Sequence, residues 1–380
     1  MTQTGAKLNV LVLGAGFGGL EVAARLSDAA ADQIDVTLID QNDSFVFGYS
    51  KLDVMFGLTR ETWRSYYRDL ARPSVTFRQE RIIAIDPVAK TVQTTEGRYA
   101  ADVIVIALGA ALDVAATPGL TDDHEFYTVA GAERFVARIR DFDRGHAVIA
   151  IAGTPYKCPP APSEVALMLH HVLKQRGKSD STQITIVNPL PSPVPPSPDT
   201  SAALLAAFEE RGITFRGSSR MTEVVDERRV IKLDNGDELD YDLLLAIPVH
   251  KAPDAVSGLP TGADGWVHVE PLTLATEFPD VFALGDCADA PVPRAGSFAE
   301  RAARVVAERI LSKLDGREVP PFDGSGTCYI EFGGGRVARV DVTMAADGMK
   351  GGPFNEPSLT IGREKEESGP VRIAHWFGSA

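Results

Sequence analysis

The chain of 380 residues is 44% hydrophobic and carries a formal charge of −14 with a pI near 5.0, which argues against nucleic acid and against a basic membrane-surface patch as partners. No apolar run reaches the roughly 18 residues of a transmembrane segment, and the first strand pattern begins too early to follow a signal peptide, so a cytoplasmic protein is expected. Three cysteines make no disulfide framework at this length, and seven histidines without metal-ligand spacing predict no metal site.

The first apolar run, Leu8 to Leu13, feeds into Gly14-Ala15-Gly16-Phe17-Gly18-Gly19 and then into the helical pattern Leu20 to Leu26. In the order strand, GxGxxG, helix, Gly14 permits the tight turn, Gly16 admits a pyrophosphate close to the backbone, and Gly19 lets helix and strand pack. A second strand, Ile34 to Ile39, ends on Asp40 and Gln41, the Asp40 carboxylate being placed to accept from ribose hydroxyls. A β-rich excursion follows from Val75 to Tyr99 and includes Ile82. Asp102 to Ala110 reads as a buried parallel strand ending at Ala107-Leu108-Gly109.

A second βαβ unit starts at Ala147 to Ala152, continues through a helix around Glu164 to Gln175 into the strand Gln183 to Val187, and closes with Tyr241 to Pro248. Its turn reads Gly153-Thr154-Pro155-Tyr156-Lys157-Cys158-Pro159-Pro160 and its second strand ends at Asn188-Pro189. Prolines lack the N–H donors that cradle phosphate, so weak or absent nicotinamide binding is expected. What stands there instead is a cysteine on a proline-locked turn just before a helix N-terminus, with Lys157 beside it, a setting expected to lower its pKa toward a thiolate. The proline-dense stretch from Pro189 to Pro198 reads as a stiff loop rather than a ligand for a proline-binding partner. Asp280 to Asp286 forms a further strand ending in Gly285-Asp286, and a helix opens near Gly296-Ser297 and runs to about Leu314. A second cysteine of interest, Cys328, follows in Gly326-Thr327-Cys328-Tyr329, whereas Cys287 reads as a small packed residue.

The Gly-rich turn, the strand ends at Gly109 and at Gly285-Asp286, and the helix at Gly296 resemble the FAD-binding signatures of the two-dinucleotide-domain flavoproteins, across nearly the whole chain. With Cys158 in the Tyr-Lys-Cys-Pro-Pro-Ala-Pro-Ser-Glu stretch and Cys328 beyond it, the chain resembles the sulfide:quinone oxidoreductases and the flavoprotein subunit of flavocytochrome c sulfide dehydrogenases. The resemblance implies an α/β fold with two Rossmann-like domains of the FAD/NAD(P)-binding type and a small C-terminal domain. Residues 1–115 and 253–315 would form the FAD domain, 116–252 a second Rossmann-like domain with a degenerate NAD site, and 316–380 the C-terminal domain.

The same resemblance implies a redox-active Cys158–Cys328 pair beside the flavin, Cys158 holding the growing sulfur chain and Cys328 passing electrons on. Glu164 is then a proton shuttle, or else a helix-capping carboxylate. The cofactor segments are those quoted above: Gly14, Gly16, Gly18, Gly19, Asp40, Gln41, Ile82, Ala107, Leu108, Gly109, Gly285, Asp286, Gly296 and Ser297. The loop Phe45 to Ser50 lacks the cysteine that would attach a flavin, so non-covalent FAD is expected.

Expected partners are sulfide or a small sulfur compound and a quinone or cytochrome c-type acceptor, with a homo-oligomer left open. Phe332 and the Trp376-Phe377 pair are candidates for an apolar quinone channel, and equally for core packing. The polar run Arg363 to Glu367 near the C-terminus argues against a terminal amphipathic membrane helix, so any membrane association would be peripheral. Two other readings stay open: an NAD(P)H-dependent flavin oxidoreductase, such as a type II NADH dehydrogenase or a disulfide or persulfide reductase, and a non-catalytic redox-sensing flavoprotein.

Overall fold

The computed structural model describes residues 6–262, 264–345 and 348–378. Two parallel sheets organise it. The first has the strand order Val281–Ala283, Val103–Ile106, Leu8–Leu13, Ile34–Asp40, Val75–Gln79. All side chains of Val103–Ile106 are buried because both faces of the sheet are covered, which is why this stretch reads as an unbroken apolar run. The helices Phe17–Ala30 and Gly296–Asp315 pack on each other over this sheet. Val75–Gln79 corrects the sequence reading: it is the outer strand of the parallel sheet, with Val75 opposite Val36. The antiparallel excursion is Ile82–Asp86, Thr91–Thr94 and Arg98–Ala100.

The second sheet has the order Ile213–Arg216, Thr182–Val187, Gly145–Ile151, Leu243–Ile247, all parallel. Between the two sheets, Ala111–Asp113 and Val249–Lys251 lie side by side and antiparallel, where the chain leaves the first unit and returns to it. The helix Ala161–Gln175 packs on the second sheet and also on the strand Gly326–Glu331. That strand belongs to an antiparallel sheet with Val337–Ala345 and Gly348–Ser358. The proline-dense loop is stiff and packed: Val194 and Ser197 are buried, and the Pro196 carbonyl accepts from Gly351 N at 2.9 Å.

A helix, Leu359–Phe377, closes the described chain, although the sequence reading treated Arg363 to Glu367 as a polar run and assigned no helix there. Its end is docked inward. Trp376 is fully buried, edge-on to Phe17 and Phe45 with ring centroids 5.5 and 5.4 Å away, and its Nε1 donates to Glu21 Oε2 at 2.8 Å. Burial pushes the Glu21 carboxyl up, but hydrogen bonds from Arg25 and Trp376 and the Arg304 charge outweigh it and hold the group below its ordinary value. Phe377 is likewise core, and Phe332 is buried in the core around the second sheet. The candidate quinone-channel role for these three therefore fails on packing: none of them lines the central cleft.

Replacing a buried tryptophan removes both transfer free energy and packing. Trp376→Ala is expected to destabilise the protein by about 3–5 kcal/mol, read as a lower urea midpoint at unchanged slope. An unchanged midpoint would show that the terminal helix contributes nothing to the fold.

Candidate active site

The Gly-rich turn is built as its spacing predicts. Gly14 has φ +99, and a Cβ there would lie 2.3 Å from the Ala107 carbonyl oxygen; one on Gly19 would lie 1.8 Å from the Gly14 oxygen. Gly16 has no atom within 4 Å of such a Cβ, so the space above it is open, and it precedes the helix N-terminus without any side-chain cap. Uncapped N–H groups facing open space are the setting for a phosphate. The Asp40 carboxylate accepts from Ala15 N at 2.8 Å through Oδ2 and from Asn42 N and Nδ2 at 2.9 and 2.8 Å through Oδ1, which fixes it against the turn and leaves one acceptor position on Oδ2.

From this turn a cleft of about 380 Å³ runs between the two parallel sheets and the C-terminal sheet. It gathers Gly16, Gly18, Ala107, Gly109, Gly285, Asp286, Gly296 and Ser297, together with Cys158, Glu164 and Cys328. Gly14, Gly19 and Leu108 pack behind it, and Asp40, Gln41 and Ile82 lie off its lining. Asp286 makes no hydrogen bond within the described protein through its carboxylate, which is pushed up by burial against the opposing charges of Lys157 and Arg294. Arg294 is fixed by stacking 3.9 Å over Trp266 and by donating to the Asp286 carbonyl at 3.0 Å.

Cys158 stands in the left-handed region at φ +53, a conformation that costs a non-glycine residue of order 1–3 kcal/mol. Two backbone bonds hold it there: its N–H donates to Arg294 O at 2.8 Å, and its carbonyl accepts from Ala161 N at 2.9 Å as the helix begins. Cys158 and Cys328 are both free thiols on the same cleft, one supplied by the second βαβ unit and the other by the C-terminal sheet. The Cys158 Sγ lies 4.0 Å from Glu164 Oε2, while Glu164 Oε1 accepts from Glu331 N at 3.1 Å. Glu164 thus caps no helix end: it ties the Cys158 helix to the Cys328 strand. Cys287 is fully buried, its Sγ toward the Leu284 carbonyl at 3.3 Å.

The thiolate expected from the helix end and Lys157 is corrected by the surroundings. Cys158 is exposed where it faces the cleft, yet the protein packed around it, then the Glu164 and Cys328 charges, push its thiol well above the ordinary value. The main opposing influence is Lys51, with the Ala161 N–H behind it. Lys51, on the helix Gly48–Met55, is itself lowered to about 8 by burial and by the Lys157 charge. Burial likewise raises Glu164 to about 7 and Asp53 to about 6, against the pull of Lys365. Lys365 is buried, ion-paired to Glu331 at 2.5 Å, and sits 4.8 Å over the Tyr49 ring.

The sequence reading missed Lys51, Asp53, Glu331 and Lys365. Lys365 lay hidden in a run that reads as surface, and Lys51 belongs to a short helix with no motif.

At the second turn the aromatic ring of Tyr156 is buried in the core and its hydroxyl accepts from Asn188 Nδ2 at 3.4 Å.

The model of the pyridine nucleotide-disulphide oxidoreductases matches residues 8–306, which takes in both sheets and the cleft walls they supply. The chain belongs to this family. This oxidoreductase is 21% identical to the mitochondrial sulfide:quinone oxidoreductase of Dictyostelium discoideum over 394 residues, covering 97% of this chain and 85% of that protein. It is 23% identical to a type II NADH:quinone oxidoreductase of Staphylococcus epidermidis over 349 residues, covering 82% and 84%. Among solved structures it is similar to the sulfide:quinone oxidoreductase of Aquifex aeolicus, with TM-score 0.79 at 21% identity over 98% of this chain and 92% of that one.

Because burial favours the neutral Glu164 carboxyl, its contribution to stability is fully present below the unfolded pKa near 4.5 and is lost as pH rises through about 7. Glu164→Gln keeps an acceptor for Glu331 N–H and cannot ionise. Its Tm is expected to track the wild type below pH about 4.5 and to exceed it by roughly a few degrees above about 7. A Tm difference that is the same at both ends would show that the carboxyl is not held neutral.

Proposed function

We propose that this oxidoreductase is FAD-dependent and oxidises sulfide through Cys158 and Cys328. The observation that carries the reading is the meeting of these two thiols on the cleft that begins at the Gly-rich turn. The residues fit FAD: open space over Gly16 and the uncapped helix end for the pyrophosphate, Asp40 for the ribose, and the unpartnered Asp286 carboxylate for a ribityl hydroxyl. Without a cysteine in the loop from Phe45 to Ser50, the cofactor is held non-covalently.

The cycle starts from a Cys158–Cys328 disulfide. Hydrosulfide attacks the Cys158 sulfur; a new S–S bond forms there, the bond to Cys328 breaks, and Cys328 leaves as a thiolate with the electron pair. When Cys328 rejoins the persulfide, a trisulfide bridge forms and two electrons and one proton are released. FAD, when bound, supplies the two-electron oxidation that accepts this pair and hands it to a quinone. Glu164, 4.0 Å from the Cys158 sulfur and titrating at about 7, is suited to carry the proton. The apolar wall of Phe17, Phe47 and Leu52 offers a quinone a face in the cleft. No helix among the described residues is long and apolar enough to cross a membrane.

Anaerobic titration of the purified protein decides between donors. Sulfide is expected to bleach the flavin rapidly and NADH to leave it oxidised, with reoxidation by a short-chain ubiquinone faster than by cytochrome c. Cys158→Ser and Cys328→Ser should each slow bleaching by sulfide at least about 100-fold with FAD content unchanged. Bleaching by NADH in place of sulfide would make the protein a nicotinamide-dependent enzyme, and no bleaching by either would favour a sensor.

A further inference from the structure

We infer that Lys51 and Lys157 form an anion-binding site beside Cys158 that draws the sulfur donor against that thiol as a small anion of hydrosulfide type. The chemical identity of the donor rests on the function proposed above; the anion site itself rests on the arrangement of charges. Both lysines line the cleft together with Cys158. Each amine has only a backbone carbonyl for company, Lys51 Nζ donating to Tyr127 O and Lys157 Nζ to Ala110 O at 3.3 Å. Among the described residues neither amine has a carboxylate within 4.0 Å.

Of the two carboxylates whose charges reach Lys157, Asp286 also faces Arg294 and Glu125 is engaged elsewhere. Glu125 is buried, accepts from Tyr127 N at 2.7 Å and Thr128 N at 2.9 Å through Oε2, and pairs through Oε1 with Arg134 at 3.2 Å. Two amines partly withdrawn from water, with the Lys157 charge bearing on Lys51 and no carboxylate in contact with either, are costly to the fold, and an anion beside them offsets part of that cost. The Tyr127 hydroxyl donates to the Lys157 carbonyl at 2.9 Å, so the segment carrying Lys157 is braced to the bend whose carbonyl receives the Lys51 amine. The same charges that hold the anion favour the thiolate of Cys158, since Lys51 is the foremost influence drawing that thiol toward ionisation. A donor anion and the sulfur it attacks are thus brought together by one pair of charges.

The test uses alkylation of Cys158, which does not depend on turnover. On the FAD-loaded protein with its cysteines reduced and kept anaerobic, the rate of Cys158 modification by iodoacetate, an anion, is compared with that by neutral iodoacetamide, each followed by peptide mass mapping. The ratio of the two rates is expected to fall about tenfold or more in Lys51→Met, to fall in Lys157→Met, and to be restored in Lys51→Arg. A ratio in Lys51→Met equal to the wild-type ratio overturns the site. If Lys51→Met does not fold, the wild type alone decides: thiocyanate at constant ionic strength should protect Cys158 from iodoacetamide while neutral thiourea should not, and equal protection by both overturns the site. A ratio that depends on Lys51 in a protein that sulfide fails to bleach would leave the anion site standing and remove only the proposed donor.

Discussion

Competition for protons among groups on one cleft governs the chemistry of this site. A thiol, a carboxyl and two amines, Cys158, Glu164, Lys51 and Lys157, line one cleft, and burial drives all four toward their neutral forms. Only their mutual charges resist. Lys51 stabilises a thiolate that Glu164 opposes, and Lys365 stabilises a Glu164 carboxylate that burial opposes. Groups balanced in this way change ionisation readily when a charge enters or leaves, which is what a site that takes up an anion and releases a proton requires.

The backbone supplies the fixed part of the site. At the first turn, contacts of glycine with backbone oxygens leave no room for a Cβ at Gly14 or Gly19 and leave open space at Gly16. At the second, equivalent βαβ turn, Tyr156 occupies the interior and Cys158 is twisted into the left-handed region, facing the cleft. The same supersecondary unit thus carries two different turns, one leaving open space before a helix N-terminus and one presenting a sulfur atom to the cleft, and the difference lies in a few residues between strand and helix.

Most of the fold was legible because its central strands are buried on both faces and announce themselves as apolar runs: Leu8–Leu13, Ile34–Asp40 and Val103–Ile106 were all readable, as was the helix Gly296–Asp315. Val75–Gln79 was misplaced because an outer strand, half exposed, carries the alternating pattern of an antiparallel excursion. The helix Leu359–Phe377 was invisible for a related reason: its contacts are made by a charged residue, Lys365, and by two aromatics at its very end, so it shows no regular apolar stripe. For the site, the glycines and cysteines could be read because few residue types can do their work. Lys51 and Glu331 could not, since what distinguishes them is burial and neighbours from distant parts of the chain, and neither leaves a mark in local spacing.

Cys328 rides on a sheet that is fastened to the second Rossmann-like unit at two points. On one side the Glu331 N–H is bound by Glu164, and on the other Gly351 is bound by the proline-stiffened loop at Pro196. Cys158 belongs to that same unit. The same segments are also tied to the first unit, Thr327 N donating to Ser297 Oγ at 3.2 Å and Cys158 N to Arg294 O at 2.8 Å. Both sulfur atoms therefore sit on a seam that the two units hold jointly, so a change in how the units meet would be felt at the sulfur pair itself.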